Sequence, residues 1–203
     1  MPRTSTSRAR STSRASSSAR SRILEQLKDD HKRVKRAYRE FQKFGADEDP
    51  GAIEAIVQQV LQELTVHAAL EEELLYPAAR GAISDEDLID EAEVEHESMH
   101  GFIDQLRNMS PGDDKYAARF TVLCEYVLHH VKEEEDEMFP KLQRTRLDWE
   151  SLAAEMEQRR AELSPPETEE DGDAADEAMP AAAAEARSRQ GAATSRRGSA
   201  ARG

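Results

Sequence analysis

A motif of histidines, acids and a proline occurs twice in this chain, and it limits the possible folds more than any other feature. The first copy runs from His67 to Pro77 and reads HAALEEELLYP; the second runs from His130 to Pro140 and reads HVKEEEDEMFP. Both copies consist of a histidine, three residues, a Glu-Glu pair, a further acid, three residues that end in an aromatic, and a proline. An acid-histidine dipeptide lies upstream of each copy, Asp30-His31 and Glu95-His96, so the unit repeats with offsets of 65 and 63 residues.

The doubled motif predicts a metal site. A histidine and a glutamate four residues apart lie on the same face of a helix. Two such pairs and two further histidines make six nitrogen and oxygen donors: His31, His67, Glu71, His96, His130 and Glu134. Imidazole and carboxylate suit iron, manganese or zinc, whereas calcium and magnesium prefer oxygen ligands alone. All six donors lie on apolar helix faces, where ionised carboxylates are rare unless they are paired or bind a metal.

The spacing of the apolar residues predicts the fold. Apolar side chains recur every three or four residues in four segments of about 20 to 25 residues, and no segment has the alternation of a strand. We expect an all-α, up-down-up-down four-helix bundle over residues 23–163, with a fifth helix from about Trp149 to Leu163. In the fourth helix the apolar face includes His130 and leaves His129 at the surface. The charged side chains around these motifs, such as Glu72 and Glu73, are expected to be solvated.

Charge and composition separate the bundle from two tails. Residues 1–22 contain six arginines and no acid, while residues 23–163 contain 17 basic and 34 acidic side chains. We expect residues 1–22 to be a disordered Ser/Arg-rich arm and residues 164–203 a disordered tail. The acidic bundle should repel nucleic acid and anionic membranes, although the basic arm could make weak contacts with nucleic acid. The single cysteine, the lack of a membrane-spanning stretch and the lack of a secretory signal core favour a cytoplasmic protein.

These motifs resemble those of the hemerythrin-like proteins, the family of HHE cation-binding domains. The resemblance covers residues 23 to about 163 and implies a bundle around a non-haem, carboxylate-bridged pair of iron ions, with manganese or zinc less favoured. It implies that His31 and His67 bind one iron, that His96 and His130 bind the other, and that Glu71 and Glu134 bridge them. His100 matches a fifth histidine that the oxygen-carrying members have, and it is expected to bind the second iron. Because the carriers end in His-x-x-x-x-Asp, the last bridge is left open between Glu134 and Glu135.

The resemblance implies a function in binding or sensing oxygen, or nitric oxide, at an open coordination position of iron. A di-iron redox enzyme that decomposes peroxide, or a protein that stores or handles iron, are the alternatives. The sequence does not indicate an oligomeric state.

Overall fold

The computed structural model describes residues 6–45 and 49–164, with side chains from residue 15 onward. Every regular element in this part of the chain is helical. In chain order they are α1 (Thr6–Phe41), α2 (Pro50–Leu70), a π-helical turn (Glu71–Leu75), α3 (Tyr76–Ala79), α4 (Asp87–Arg107), α5 (Tyr116–Glu133), a second π-helical turn (Glu134–Met138), α6 (Phe139–Leu142) and α7 (Trp149–Leu163). The predicted all-α fold, a four-helix bundle with an additional C-terminal helix, is confirmed. The bundle helices are α1, α2, α4 and α5.

The start of the first helix differs from the sequence-based expectation. The helix begins at Thr6 instead of near residue 22, so the predicted disordered arm does not describe residues 6–22. Ala19 is buried in the same apolar cluster as Met156, and the Arg20 guanidinium donates a hydrogen bond to the carbonyl of Gln143. A small alanine is enough to continue the packed face, and this signal is weaker than the large apolar residues that begin at Ile23. Residues 1–5 and the predicted tail from residue 165 onward lie outside the described residues.

Each copy of the doubled motif contains a π-helical turn. The Tyr76 N–H bonds to the carbonyl of Glu71, and the Phe139 N–H bonds to the carbonyl of Glu134, five residues back in both cases. The extra residue in each turn rotates the next part of the helix, so that Tyr76 is fully buried and Leu74 is only partly buried. The helices α3 and α6 each begin just before a proline, in the first turn that tolerates it.

Two apolar clusters fill the bundle, one on each side of the buried histidines. On α1, for example, Leu27 belongs to the first cluster and Val34 to the second, with His31 between them. The order is the same around His96 on α4, and it is reversed around His67 on α2 and around His130 on α5 and the turn that follows it. The helix α7 packs on α1 and α2 and covers the first cluster, with Trp149 and Met156 buried there. No described helix is both long enough and apolar enough to cross a membrane.

Candidate metal centre

Four buried histidines and two buried glutamates form a polar layer between the two apolar clusters. Each bundle helix supplies one histidine, and the two π-helical turns begin at Glu71 and Glu134. All six side chains are at most 6 % exposed. We call His31 and His67 the first pair and His96 and His130 the second pair. The Nε2 atoms are 3.2 Å apart in the first pair and 3.0 Å apart in the second.

Each glutamate faces one histidine of each pair. The Oε2 atom of Glu71 is 3.0 Å from Nε2 of His67 and 3.7 Å from Nε2 of His96. The Oε2 atom of Glu134 is 3.3 Å from Nε2 of His31 and 3.5 Å from Nε2 of His130. The donor atoms of the first pair and both glutamates lie within 4.8 Å of one another, as do those of Glu71 and the second pair. Both carboxylates therefore lie where a ligand shared by two neighbouring cations would lie.

Four further acids hold the outer edges of the histidine rings. His31 Nδ1 donates to Glu135 at 2.9 Å, and His96 Nδ1 donates to Glu72 at 2.8 Å. Glu135 and Glu72 are the second residues of the two Glu-Glu pairs. The remaining two rings are held by the acids that precede the isolated histidines: His67 Nδ1 donates to Asp30 at 3.3 Å and His130 Nδ1 donates to Glu95 at 2.8 Å. Carboxylates bonded to Nδ1 fix the ring orientation and leave Nε2 to bind a metal. The four acids next to the donors in the sequence, Asp30, Glu72, Glu95 and Glu135, thus each contact a buried histidine.

The hydroxyl of Tyr76 points into the polar layer. It donates to Oε1 of Glu134 at 3.0 Å, and it lies 3.4 Å from both Oε2 of Glu71 and Nε2 of His96. The equivalent residue in the second copy, Phe139, has no hydroxyl; its ring stacks on His31 with a centroid distance of 5.9 Å. The sequence reasoning missed Tyr76 because in a regular helix it would face away from Glu71. The signal that could have found it is the repeated aromatic-proline ending of the motif.

The charges in this layer perturb its ionisable groups in the absence of a cation. Burial alone would lower the pKa of His67, but the carboxylates of Glu71 and Asp30 raise it from 6.5 to about 10. Burial would raise the pKa of Glu134, but the adjacent His130 and His31 hold it well below its ordinary value. Burial alone would also raise the pKa of Asp30, but the hydrogen bonds from His67 and Arg160 lower it to about 2. Without a cation, His67 is therefore held as an imidazolium beside the carboxylates of Glu71 and Asp30.

The hydrogen bonds within the polar layer leave carboxylate oxygens that a metal ion would bind. Among the described residues, Oε1 of Glu71 is buried and accepts no hydrogen bond, and Oε2 of Glu134 has only the ion-pair contacts with His31 and His130 given above. Buried carboxylate oxygens without a partner are costly, and a bound cation removes that cost. Four imidazole nitrogens and carboxylate oxygens that converge in this way are a donor set for iron, manganese or zinc.

The structure does not bring all seven predicted ligands together. His31, His67, Glu71, His96, His130 and Glu134 meet in the layer, but His100 does not. The His100 ring is 43 % exposed and donates to Glu72 at 2.8 Å. The adjacent Met99 is buried in the second apolar cluster and takes the inward position.

The structure also shows where Glu135, His129 and Glu72 lie. Glu134 faces both histidine pairs, whereas Glu135 lies at the edge and contacts His31 Nδ1 and the Lys35 ammonium. His129 is 61 % exposed and lies 3.3 Å from Glu133. Glu72, expected to be solvated, instead contacts two histidines.

A small cavity opens beside the histidines on the side of the second cluster. It has a volume of about 20 Å³ and includes all four histidines of the layer in its lining. The rest of its lining consists of Asp30, His100 and apolar side chains that include Val34, Leu64, Ala68, Ile103 and Val127. This is room for about one water-sized molecule, but water prefers two or more polar partners.

The chain is similar to one curated protein and to one solved structure. A "DNA nickase" from Nostoc sp. is 31 % identical over 117 residues, which are 58 % of this chain but only 32 % of the nickase, so the chain spans about a third of that protein. The crystal structure of a hemerythrin HHE cation-binding domain-containing protein from Mycobacterium kansasii superposes with a TM-score of 0.54. It is 26 % identical, and the match covers 68 % of this chain and 86 % of that one.

The family model of the hemerythrin HHE cation-binding domain matches residues 22–142, the part of the chain that contains α4, α5 and all six buried donors. The chain belongs to the hemerythrin HHE cation-binding domain family.

Proposed function

We propose that the chain is a non-haem di-iron protein that reversibly binds oxygen or nitric oxide. The observation that carries this proposal is the apolar cavity of about 20 Å³ that borders all four buried histidines. A site for a polar substrate such as peroxide would be expected to offer hydrogen-bond partners there. Apart from the histidines and Asp30, this cavity offers mainly aliphatic walls, which favour a small apolar molecule over water.

The residues that would hold two iron ions can be read from the distances in the polar layer. His31 and His67 would bind one ion, His96 and His130 the other, and Glu71 and Glu134 would be shared. A pair of ferrous ions with this donor set would supply electrons and an open coordination position, which small gaseous ligands require.

The surrounding residues would keep the centre ordered and dry. The four outer carboxylates hold the histidine rings, and the Tyr76 hydroxyl holds Glu134 through a 3.0 Å hydrogen bond. The two apolar clusters above and below the layer keep bulk water out. Slow entry of water and protons favours a reversible adduct over irreversible oxidation of the metal.

The test is anaerobic loading with ferrous iron, followed by exposure to oxygen and then to its removal. We expect two irons per chain and a charge-transfer absorption band that disappears when oxygen is removed. Rapid irreversible oxidation with turnover of added peroxide would instead support the redox enzyme. Iron that passes readily to a weak chelator without forming an adduct would support iron handling. One iron or fewer per chain after loading contradicts the di-iron centre itself.

A further inference from the structure

Fixed positive charges reach the outer carboxylates of the first histidine pair. Asp30, which holds His67, is 4 % exposed and accepts two hydrogen bonds from the Arg160 guanidinium, at 2.6 Å on Oδ2 and 3.3 Å on Oδ1. Arg33 also pairs with Oδ1 of Asp30. Glu135, which holds His31, lies 3.2 Å from the Lys35 ammonium. Lysine and arginine keep their charges throughout the physiological pH range.

The outer carboxylates of the second pair have different neighbours. Glu72, which holds His96, accepts a hydrogen bond from His100 at 2.8 Å. The second oxygen of Glu95, which holds His130, lies 3.8 Å from His129. Within the described part of the chain, neither Glu72 nor Glu95 forms a salt bridge with a lysine or an arginine.

The duplication in the sequence shows where this difference arises. Lys35 and His100 occupy equivalent positions, 65 residues apart, and each bonds the equivalent outer carboxylate. Arg160 has no equivalent in the doubled unit, since it comes from α7. This helix packs on α1 and α2, and so it reaches Asp30 on α1.

We propose that Arg160 is a positioning residue, which acts through Asp30 and His67 to make the first metal position differ from the second. The inference rests on the proposed metal centre. The guanidinium fixes both oxygens of Asp30, and Asp30 in turn fixes the orientation of the His67 ring.

Stepwise affinity for ferrous iron tests the inference. Ferrous iron is titrated anaerobically into the metal-free full chain against a chelator of known affinity, which gives two binding constants. Arg160→Gln should weaken one of the two ions about tenfold, near the lower end of the 10–100-fold range for changes around metal ligands, because Arg33 still holds Asp30. The other ion should keep its affinity. Arg160→Lys, which keeps the charge but not the fork, should recover part of the loss.

Arg159 provides the matched control. It lies next to Arg160 on α7 and makes the same kind of two-pronged pair, but with Glu73 at the surface, at 2.8 and 2.9 Å. Arg159→Gln should leave both binding constants at the parent values. In an Asp30→Asn background, Arg160→Gln should add little, because its effect passes through Asp30. The metal-free helicity and Tm of each variant show whether α7 is still docked.

The outcomes separate this inference from the di-iron centre. A parent protein that binds fewer than two ions overturns both. If the parent binds two ions and Arg160→Gln has the parent's binding constants, only the positioning role is overturned. Equal weakening of both ions, or the same loss in Arg159→Gln, also overturns it, because α7 would then act only as a structural support. If Arg160→Gln does not fold, Arg160→Lys decides: selective weakening of one ion supports the role, and parent constants for both overturn it.

Discussion

The hydroxyl of Tyr76 should stabilise the metal-free protein measurably, and a second tyrosine makes the comparison quantitative. Tyr76 is fully buried and donates to the Glu134 carboxylate at 3.0 Å. Tyr116 is also buried, at 1 % exposure, but its hydroxyl has no hydrogen-bond partner among the described residues. Replacement by phenylalanine removes the same atom in both cases, so the difference isolates the hydrogen bond to the carboxylate.

The expected size depends on the partner of each hydroxyl. A hydrogen bond to a charged group contributes about 1.5–3 kcal/mol, so Tyr76→Phe should lower the free energy of unfolding by about 2 kcal/mol. For a domain of this size that corresponds to a fall in Tm of about 4–8 °C. Tyr116→Phe should be neutral or slightly stabilising, because it removes a buried polar group that lacks a partner.

The assay is urea unfolding of both variants and the parent in the presence of a chelator, monitored by circular dichroism. The shift in midpoint is interpreted at constant slope, which shows that the compactness of the unfolded state has not changed. Equal effects of the two substitutions would refute the role given to the Tyr76–Glu134 bond. A neutral Tyr76→Phe would do the same.

Three further predictions concern the metal centre. His130→Ala should lose metal, measured by elemental analysis after loading, while His129→Ala should keep it, because His129 is 61 % exposed and off the polar layer; equal losses would contradict the orientation of α5. In the metal-free protein, the raised pKa of His67 stabilises the fold fully below pH 6.5, and this contribution is lost as the pH rises to about 10. The lowered pKa of Glu134 stabilises the fold fully above pH 4.5, and this contribution is lost as the pH falls. The free energy of unfolding should therefore be highest between pH 4.5 and 6.5, by a few kcal/mol. Urea unfolding across pH that shows no such maximum would contradict the charge pairing of His67 and Glu134. Ala68→Val, which adds two methyl groups to the wall of the 20 Å³ cavity, should shorten the lifetime of an oxygen adduct without lowering the iron content; an unchanged lifetime would show that ligands bind elsewhere.

Helical periodicity and the doubled motif were enough to predict the bundle and to select the six donors that the structure brings together. The apolar spacing distinguished His130 from His129 because a rotation of one residue moves a side chain by about 100° around a helix. The same rule failed for Tyr76. It assumes 3.6 residues per turn, and the π-helical turns at Glu71 and Glu134 depart from that value.

Metal binding by His100 stays a prediction. Its spacing from His96 permits ligation, but the side chain has an alternative partner in Glu72, and Met99 competes for the inward position. Spacing shows which residues share a helix face, but not which of two neighbours is buried. The position of Lys35 in the first half was the better guide, because it bonds the equivalent carboxylate.

The polar layer should make the stability of the fold depend on metal binding. It separates the apolar core into two clusters, so side chains such as Leu27 and Val34 on α1 belong to different clusters. Without a cation, the contact between the clusters passes through buried imidazole and carboxylate groups, whose attraction is largely offset by the cost of their burial. A bound cation would take donors from all four bundle helices. Metal binding should therefore join two partly independent halves of the core into one cooperative unit, and it should do so most strongly at the shared ligands, Glu71 and Glu134.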